Sequence, residues 1–450
     1  MFNPAAAVEK VDCPLCHQTV GPGQFAGPQD IEPAAVNYLQ EHHPEWSPEL
    51  GVCPNCLQAA LNDLVAQIED ETRPPVGKPS VYGILPVGLR LGYNGQYNGS
   101  GVRIAFLDSG FSAHPDLQDR IKLYVDASND EIRELSEVEL SGDLSWHGTM
   151  TSVVACGNGS LSNGLYRGLA SGAEVILIRV SNQEGRVNEE GIERGLGWIL
   201  ANWRRFGIQI VNVSLGGDRP TGYANNPVDL MVEALVAQNV LVVCAAGNAG
   251  ERYLVPPASA PSAITVGGLD DKNTLDPETF ELWHSNYGQT RSGVWKPELV
   301  APSLWLAAPV LPGSSVAREA AALERLLAAE PDELLVLLSD EDIQQSINLP
   351  ADLPGQPPAE IRRHLREAWH SQKLLNQYYQ HVDGTSFAAP IVSSVAAQML
   401  QANPKLSAAG LKDLIMRTAR YLPEVAPDQQ GHGVVDPWAA VAAALATANR

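Results

Sequence analysis

The chain has 450 residues, 44% of them hydrophobic, with a formal net charge of -22 and a pI near 4.8. That length and apolar content can fill more than one average domain with a sizeable core, while the acidity argues against nucleic acid, whose phosphates are met by Lys and Arg. The longest apolar stretches, residues 240–246 and 439–446, fall short of the ~20 residues that span a bilayer, so no membrane partner is expected.

The first ten residues carry neither a basic segment nor a long apolar run, so they do not read as a secretory signal, and a cytoplasmic location is expected. Cys13 and Cys16 form one Cys-x-x-Cys pair, and Cys53 and Cys56 form a second, with 36 residues between the pairs. Such pairs can converge four thiolates into the closed tetrahedron of a structural Zn2+ site. Two disulfides or a redox pair are the alternatives, and a reducing compartment disfavours disulfides. Four cysteines complete the shell, which leaves His17, His42 and His43 as bystanders. Thiolate ligation contributes about 10 kcal/mol or more, enough to replace the core that so small a segment lacks. Residues 1–75 thus read as a four-cysteine, zinc-ribbon-like module. Its basic residues are only Lys10 and Arg73, so a protein partner or an intramolecular contact is expected of it. Residues 57–72 carry Leu61, Leu64 and Ile68 at helical spacing, and prolines and a glycine at 74–79 break that helix and open a linker over 76–98.

Beyond the linker, an apolar strand ends on Asp108-Ser109-Gly110. An acidic stretch, residues 129–143, predicts a solvated surface helix and loop; its carboxylates with Asn129 offer a possible Ca2+ site, although no compact Asp-x-Asp-x-Asp-Gly loop is present. His147-Gly148-Thr149 opens the next helix. Strands at 175–180, 208–215, 240–246 and 263–266 then alternate with helices at 189–206 and 227–238. This alternation predicts an α/β fold with a parallel sheet covered on both faces. Residues 242–248 end an apolar run on Gly247-Asn248, where an amide donor can face a developing oxyanion. Cys156 and Cys244 lie in apolar runs and read as packing residues.

Residues 311–375 carry helix-period leucines over 316–329 and 331–346, with a third helix expected over 358–380. This helical insertion ends just before Gly384-Thr385-Ser386, where it would serve as a lid or as a surface decoration. Ser386 starts a long apolar helix over 387–400, whose dipole favours negative charge at its N-terminus. Pro390 falls in the first turns, where a missing amide proton costs least. A serine hydroxyl is a poor nucleophile unless a neutral imidazole takes its proton and a buried carboxylate orients that imidazole. Asp108, His147 and Ser386 supply all three groups.

Residues 102–110, 146–151, 210–217 and the segment around Ser386 together resemble the subtilisin-like serine peptidases, or subtilases, which share the order Asp, His, Ser. The resemblance covers 99–310 and 376–450. It implies a three-layer fold with a mostly parallel sheet, and a serine endopeptidase that hydrolyses polypeptide substrates through an acyl-enzyme. It assigns Ser386 as nucleophile, His147 as base, Asp108 as its orienting carboxylate and Asn248 as oxyanion donor. It also implies that Ser214, Leu215 and Gly216 pair with substrate backbone, that Ala245 and Ala246 line the first specificity pocket, and that residues 431–436 close the domain. Many relatives bind Ca2+. Extracellular members carry a folding propeptide where this chain has its cysteine module, and the insertion is a second departure. These additions leave an alternative, a partner-regulated zinc-scaffold protein with a dormant peptidase domain.

Overall fold

A computed structural model describes residues 11–20, 26, 31, 33–53, 55–57, 59–60, 63, 84–93, 95–138, 145–182, 184–347, 349–350 and 352–448. The linker motif at 74–79 and most of the helix expected over 57–72 lie outside the described residues. At the N-terminal end a two-stranded ribbon, β1 (Val11–Asp12) and β2 (Thr19–Val20), precedes helix α1 (Pro33–His42). Its apolar cluster is small, with Ile31, Ala35, Leu39, Trp46 and Val52 packed around Cys13 and Cys53.

After the short helix α2 (Val87–Arg90), the chain builds a nine-stranded sheet. Strands β3 (Arg103–Asp108), β4 (Ile121–Asp126), β6 (Glu174–Arg179), β7 (Ile210–Val213), β8 (Leu241–Ala245), β9 (Ile264–Asp270) and β13 (Leu299–Pro302) are parallel to their neighbours. Antiparallel β5 (Arg133–Leu135) and β10 (Glu281–Leu282) close the two ends. Strand β3 is central, lying between β6 and β7. Its residues alternate between two cores: Ile104 and Phe106 face one, Ala105 and Leu107 the other. Period-two burial on both faces is what a sheet covered by helices on each side requires.

Helices α3 (Trp146–Cys156) and α10 (Thr385–Ala402) share the first core, joined by α11 (Ala408–Thr418) and α12 (Pro437–Ala448). Helices α4 (Glu189–Phe206) and α5 (Pro227–Ala237) cover the other face. Both begin with an asparagine cap: the Asn188 side chain accepts from the Gly191 amide, and that of Asn226 from the Val228 and Asp229 amides. The three-layer, mostly parallel architecture expected from the alternation is present.

Three local expectations are corrected. The acidic stretch after Asn129 forms β5 rather than a helix: Arg133–Leu135 pairs with Tyr124–Asp126, and the Arg133 guanidinium bonds Asp126 Oδ2 at 2.6 Å. Its residues 139–143 lie outside the described residues. The helix expected over 331–346 is two: α7 (Pro331–Leu337) ends with Leu338 as its C-cap, and Asp340 starts α8 (Glu341–Ser346), its carboxylate accepting from the Asp342 and Ile343 amides. The helix expected over 358–380 is α9 (Pro358–Ser371), which ends before Lys373 in a left-handed conformation.

Residues 379–382 instead form β15 (Tyr379–Val382), antiparallel to β14 (Leu306–Pro309). The helical segment between these strands, whose first helix is α6 (Ser315–Ala328), therefore grows from the tip of a hairpin and not directly from the serine turn. It has its own core, including Leu323, Leu326, Leu334, Ile361, Leu365 and Trp369.

Residues preceding the sheet are part of this body. Ile84 and Leu85 are buried, and Arg90 pairs with Asp271, with Nε 2.7 Å from Oδ2. The same guanidinium donates to the carbonyls of Leu304 and Trp305. Both side chains are sealed from water, at 0% and 1% exposure. Replacing Arg90 with Met leaves the Asp271 carboxylate buried without its partner, and the expected loss is about 3–5 kcal/mol. Urea unfolding of the purified chain measures it; a loss below about 1 kcal/mol would show that water replaces the guanidinium.

Candidate active site

Asp108 ends β3 and is completely buried. A buried carboxylate needs donors, and four reach it. The Ser109 amide donates to Oδ1 at 2.7 Å and its hydroxyl at 3.3 Å; His147 Nδ1 lies 2.7 Å from the same oxygen. The Thr151 hydroxyl donates to Oδ2 at 3.1 Å. His147 and Thr151 are one helical turn apart, so α3 presents both to Asp108 from one face.

That approach depends on Gly148. A Cβ there would collide with the Gly110 carbonyl oxygen, the Phe111 ring and the Asp108 Cβ. Thr149 completes the docking, accepting from the Ser112 amide at 2.8 Å while donating to Ser145 O at 2.7 Å. Burial disfavours the charged imidazole of His147, but the Asp108 charge and hydrogen bond outweigh it and raise its pKa.

Ser386 is the second residue of α10. Its hydroxyl donates to Ser214 O at 3.3 Å, and among the described residues no hydrogen bond joins it to the imidazole. Its carbonyl shows why Ser214 belongs here. In an α-helix that oxygen accepts from the amide four residues on, but that residue is Pro390, which has no N–H. The Ser214 hydroxyl donates instead, at 2.8 Å. Asn212 Nδ2 donates to Ser214 Oγ at 3.0 Å and Asn212 Oδ1 accepts from Ser393 at 3.0 Å. Pro390 thus lies inside the helix at a cost offset by Ser214, just past β7, and the Asn212 bonds register that strand against the helix.

Asn248 is exposed beyond the end of β8. Its Oδ1 accepts from the Thr385 amide at 3.0 Å and the Thr385 hydroxyl at 2.7 Å, and that hydroxyl also accepts from the Gly247 amide at 3.1 Å. With its oxygen pinned, the carboxamide turns its NH2 group toward Gly384, next to the serine. The serine turn is held from behind as well. Gly384, at φ 138°, donates to Ser303 O at 2.7 Å. Against the burial that would raise it, hydrogen bonds from His381 and Lys373 lower the Asp383 pKa to about 2.

Past Val213 the chain leaves the sheet at Ser214, Leu215 and Gly216, with Leu215 half-buried and Gly216 exposed. Val255 packs against Gly216, and Pro256 O accepts from the Gly217 amide at 2.7 Å. Ala245 and Ala246 are buried beside this segment at the end of β8. Asp108, His147, Ser386 and Asn248 thus come together at the carboxyl end of the parallel sheet, with residues 214–216 beside them. Sequence reasoning passed over Thr151, Thr385 and the hydroxyl of Ser214, although Thr151 stands one turn after His147 and Thr385 directly before Ser386.

The sulfurs of Cys13, Cys16, Cys53 and Cys56 all lie within 4.8 Å of one another. No disulfide joins them. The Cys53 amide points at Cys13 Sγ (3.5 Å) and the Cys56 amide at Cys53 Sγ (3.4 Å), donors that suit thiolates. This donor set fits a metal ion of the soft, tetrahedral kind. Among the described residues it is the one cluster of metal-ligating groups, and the carboxylates expected near Asn129 form none. No described helix is long and apolar enough to cross a membrane.

The subtilase family profile matches residues 99–433. Serine protease AprX of Bacillus subtilis is 28% identical over 353 residues, covering 76% of this chain and 67% of that protein. Subtilisin BL of Lederbergia lenta is 30% identical over 237 residues, covering 52% of this chain and 76% of the relative. Among solved structures, fervidolysin from Fervidobacterium pennivorans, a keratinolytic enzyme related to subtilisin, superposes with a TM-score of 0.53 at 19% identity, covering 80% of this chain and 45% of that one. A protease from Pseudoalteromonas arctica gives 0.51 at 21% identity over 77% and 91%. At these identities the structural likeness concerns the fold, and the activity follows from the family match and the protease relatives. The chain belongs to the subtilase family and is a subtilisin-like serine endopeptidase.

Proposed function

We propose that Asp108, His147 and Ser386 are the catalytic triad of this endopeptidase. The observation that carries the reading is the buried Asp108–His147 pair at 2.7 Å, facing the N-terminus of the helix that begins at Thr385 and Ser386. Substrate backbone adds as a strand along Ser214, Leu215 and Gly216. Ser386 Oγ leaves Ser214 O, attacks the carbonyl and passes its proton to His147 Nε2; the imidazolium, stabilised by Asp108, gives that proton to the leaving amine. Asn248 Nδ2 and the Ser386 amide hold the oxyanion, aided by the helix dipole. Ala245 and Ala246 wall a pocket for a small or apolar side chain.

We further assign Zn2+ to Cys13, Cys16, Cys53 and Cys56 as a structural ion in a module over 1–75, followed by a linker over 76–98. The catalytic domain comprises 99–310 and 376–450, with 311–375 as a helical insertion. The separate apolar clusters at the two additions support this division. Cysteines that form no disulfide among themselves favour a cytoplasmic location. The dormant-scaffold alternative is not favoured, since the family match and the protease relatives point to activity.

Ser386→Ala should lower turnover on unfolded casein by about 10^6-fold, and Asn248→Ala by about 10^2- to 10^3-fold, the scale established for subtilisin. Comparable activity in purified Ser386→Ala would refute the assignment. The raised pKa of His147 places the acid limb of kcat/KM above the ordinary imidazole value, since the base must be neutral. Asp108→Asn removes the cause of that rise, so the limb moves to lower pH while turnover falls by about 10^4-fold. A limb that stays in place would show that another group titrates. Elemental analysis should find one zinc per chain, lost in a Cys13→Ser/Cys56→Ser variant; a zinc-free wild type that retains its N-terminal fold would rule the ion out.

A further inference from the structure

Trp146 opens α3 immediately before His147. Its indole is 46% exposed and stands edge-on to the His147 imidazole, with ring centroids 5.2 Å apart and planes at 86°. Single exposed aromatics are common on protein surfaces and carry no meaning alone. This one borders the imidazole. The segment proposed above to bind substrate is of the opposite kind: Gly216 is exposed and has no side chain, and Ala245 and Ala246 are small and buried.

A substrate chain extended along residues 214–216 alternates its side chains between two faces. The residue that donates the scissile carbonyl, P1, points to the small-residue wall. The residues on either side of it, P2 and P1′, then point to the opposite face, where His147 and Trp146 stand. A large apolar side chain there covers the indole, removes both surfaces from water and, if aromatic, meets the ring face or edge favourably. A glycine or a charged side chain gains none of this.

We propose that Trp146 is a specificity-determining residue that selects polypeptides with a large apolar or aromatic side chain next to P1, on the imidazole side. The inference rests on the peptidase reading above and names its preferred substrates. Two peptide series with P1 held at Ala test it, one varying P2 and the other P1′ through Gly, Ala, Asp, Lys, Leu and Phe. The full wild-type chain should favour Phe over Gly at one of the two positions by about tenfold or more in kcat/KM. In Trp146→Ala that ratio should collapse toward one, and in Trp146→Leu it should fall between the two. The position that responds identifies the subsite.

An unchanged Phe-to-Gly ratio in Trp146→Ala would overturn the inference. So would an equal loss on all peptides with the ratio preserved, since the indole would then only prop the imidazole. A fluorophosphonate probe on the wild-type chain separates the two readings: failure to label Ser386 would overturn the peptidase assignment itself, whereas labelling at Ser386 with a flat preference at both positions would overturn the Trp146 inference alone.

Discussion

Asp108 is a carboxylate with no access to water at the end of the central strand, and much of the surrounding structure serves to keep it supplied with donors. An unpaired charge in such a place would be prohibitively costly. Ser109, His147 and Thr151 meet that demand together, and two of them arrive on a helix that must come unusually close. Gly148 permits the approach, and Thr149 locks it to the Ser112 amide. The geometry of the imidazole is thus a consequence of satisfying a buried carboxylate.

A second set of bonds places the hydroxyl by the same logic. Pro390 removes a helical amide and leaves the Ser386 carbonyl short of a donor, and Ser214 supplies one from the residue that follows β7. Asn212 and Ser393 extend the line deeper, so β7 and α10 are registered by polar groups that would be expensive to separate. Thr385 does the corresponding work for Asn248, fixing which end of the carboxamide faces the serine. Each proposed catalytic group is therefore held by a neighbour through hydrogen bonds of its own.

The segments beside this centre relate to it differently. The helical segment at the tip of the β14–β15 hairpin has an apolar core of its own. Strand β15 lies between it and Ser386, and Tyr379 on that strand donates to buried Asp116 at 2.6 Å, tying the hairpin to the loop that follows Asp108. The residues ahead of the sheet reach the serine turn by another route. Arg90 grips the carbonyls of Leu304 and Trp305, next to Ser303, whose carbonyl holds Gly384.

The chemical types and their order were legible in the chain itself: Asp108, His147, Ser386 and Asn248 stand in segments whose glycines and apolar runs mark strand ends and helix starts, and four paired cysteines announce their own cluster. The alternation of strands and helices likewise announced a parallel sheet, because period and length are local properties. Local pattern failed where strand pairing won, at Arg133–Leu135, which folds back on β4, and at Tyr379–Val382, which joins the distant β14 although its surroundings read as helix. Which donors complete Asp108, and that the Ser214 hydroxyl just past β7 replaces the amide missing at Pro390, were decided by the tertiary structure alone. These contacts join residues brought together by packing, and no spacing along the chain encodes the burial that makes them necessary.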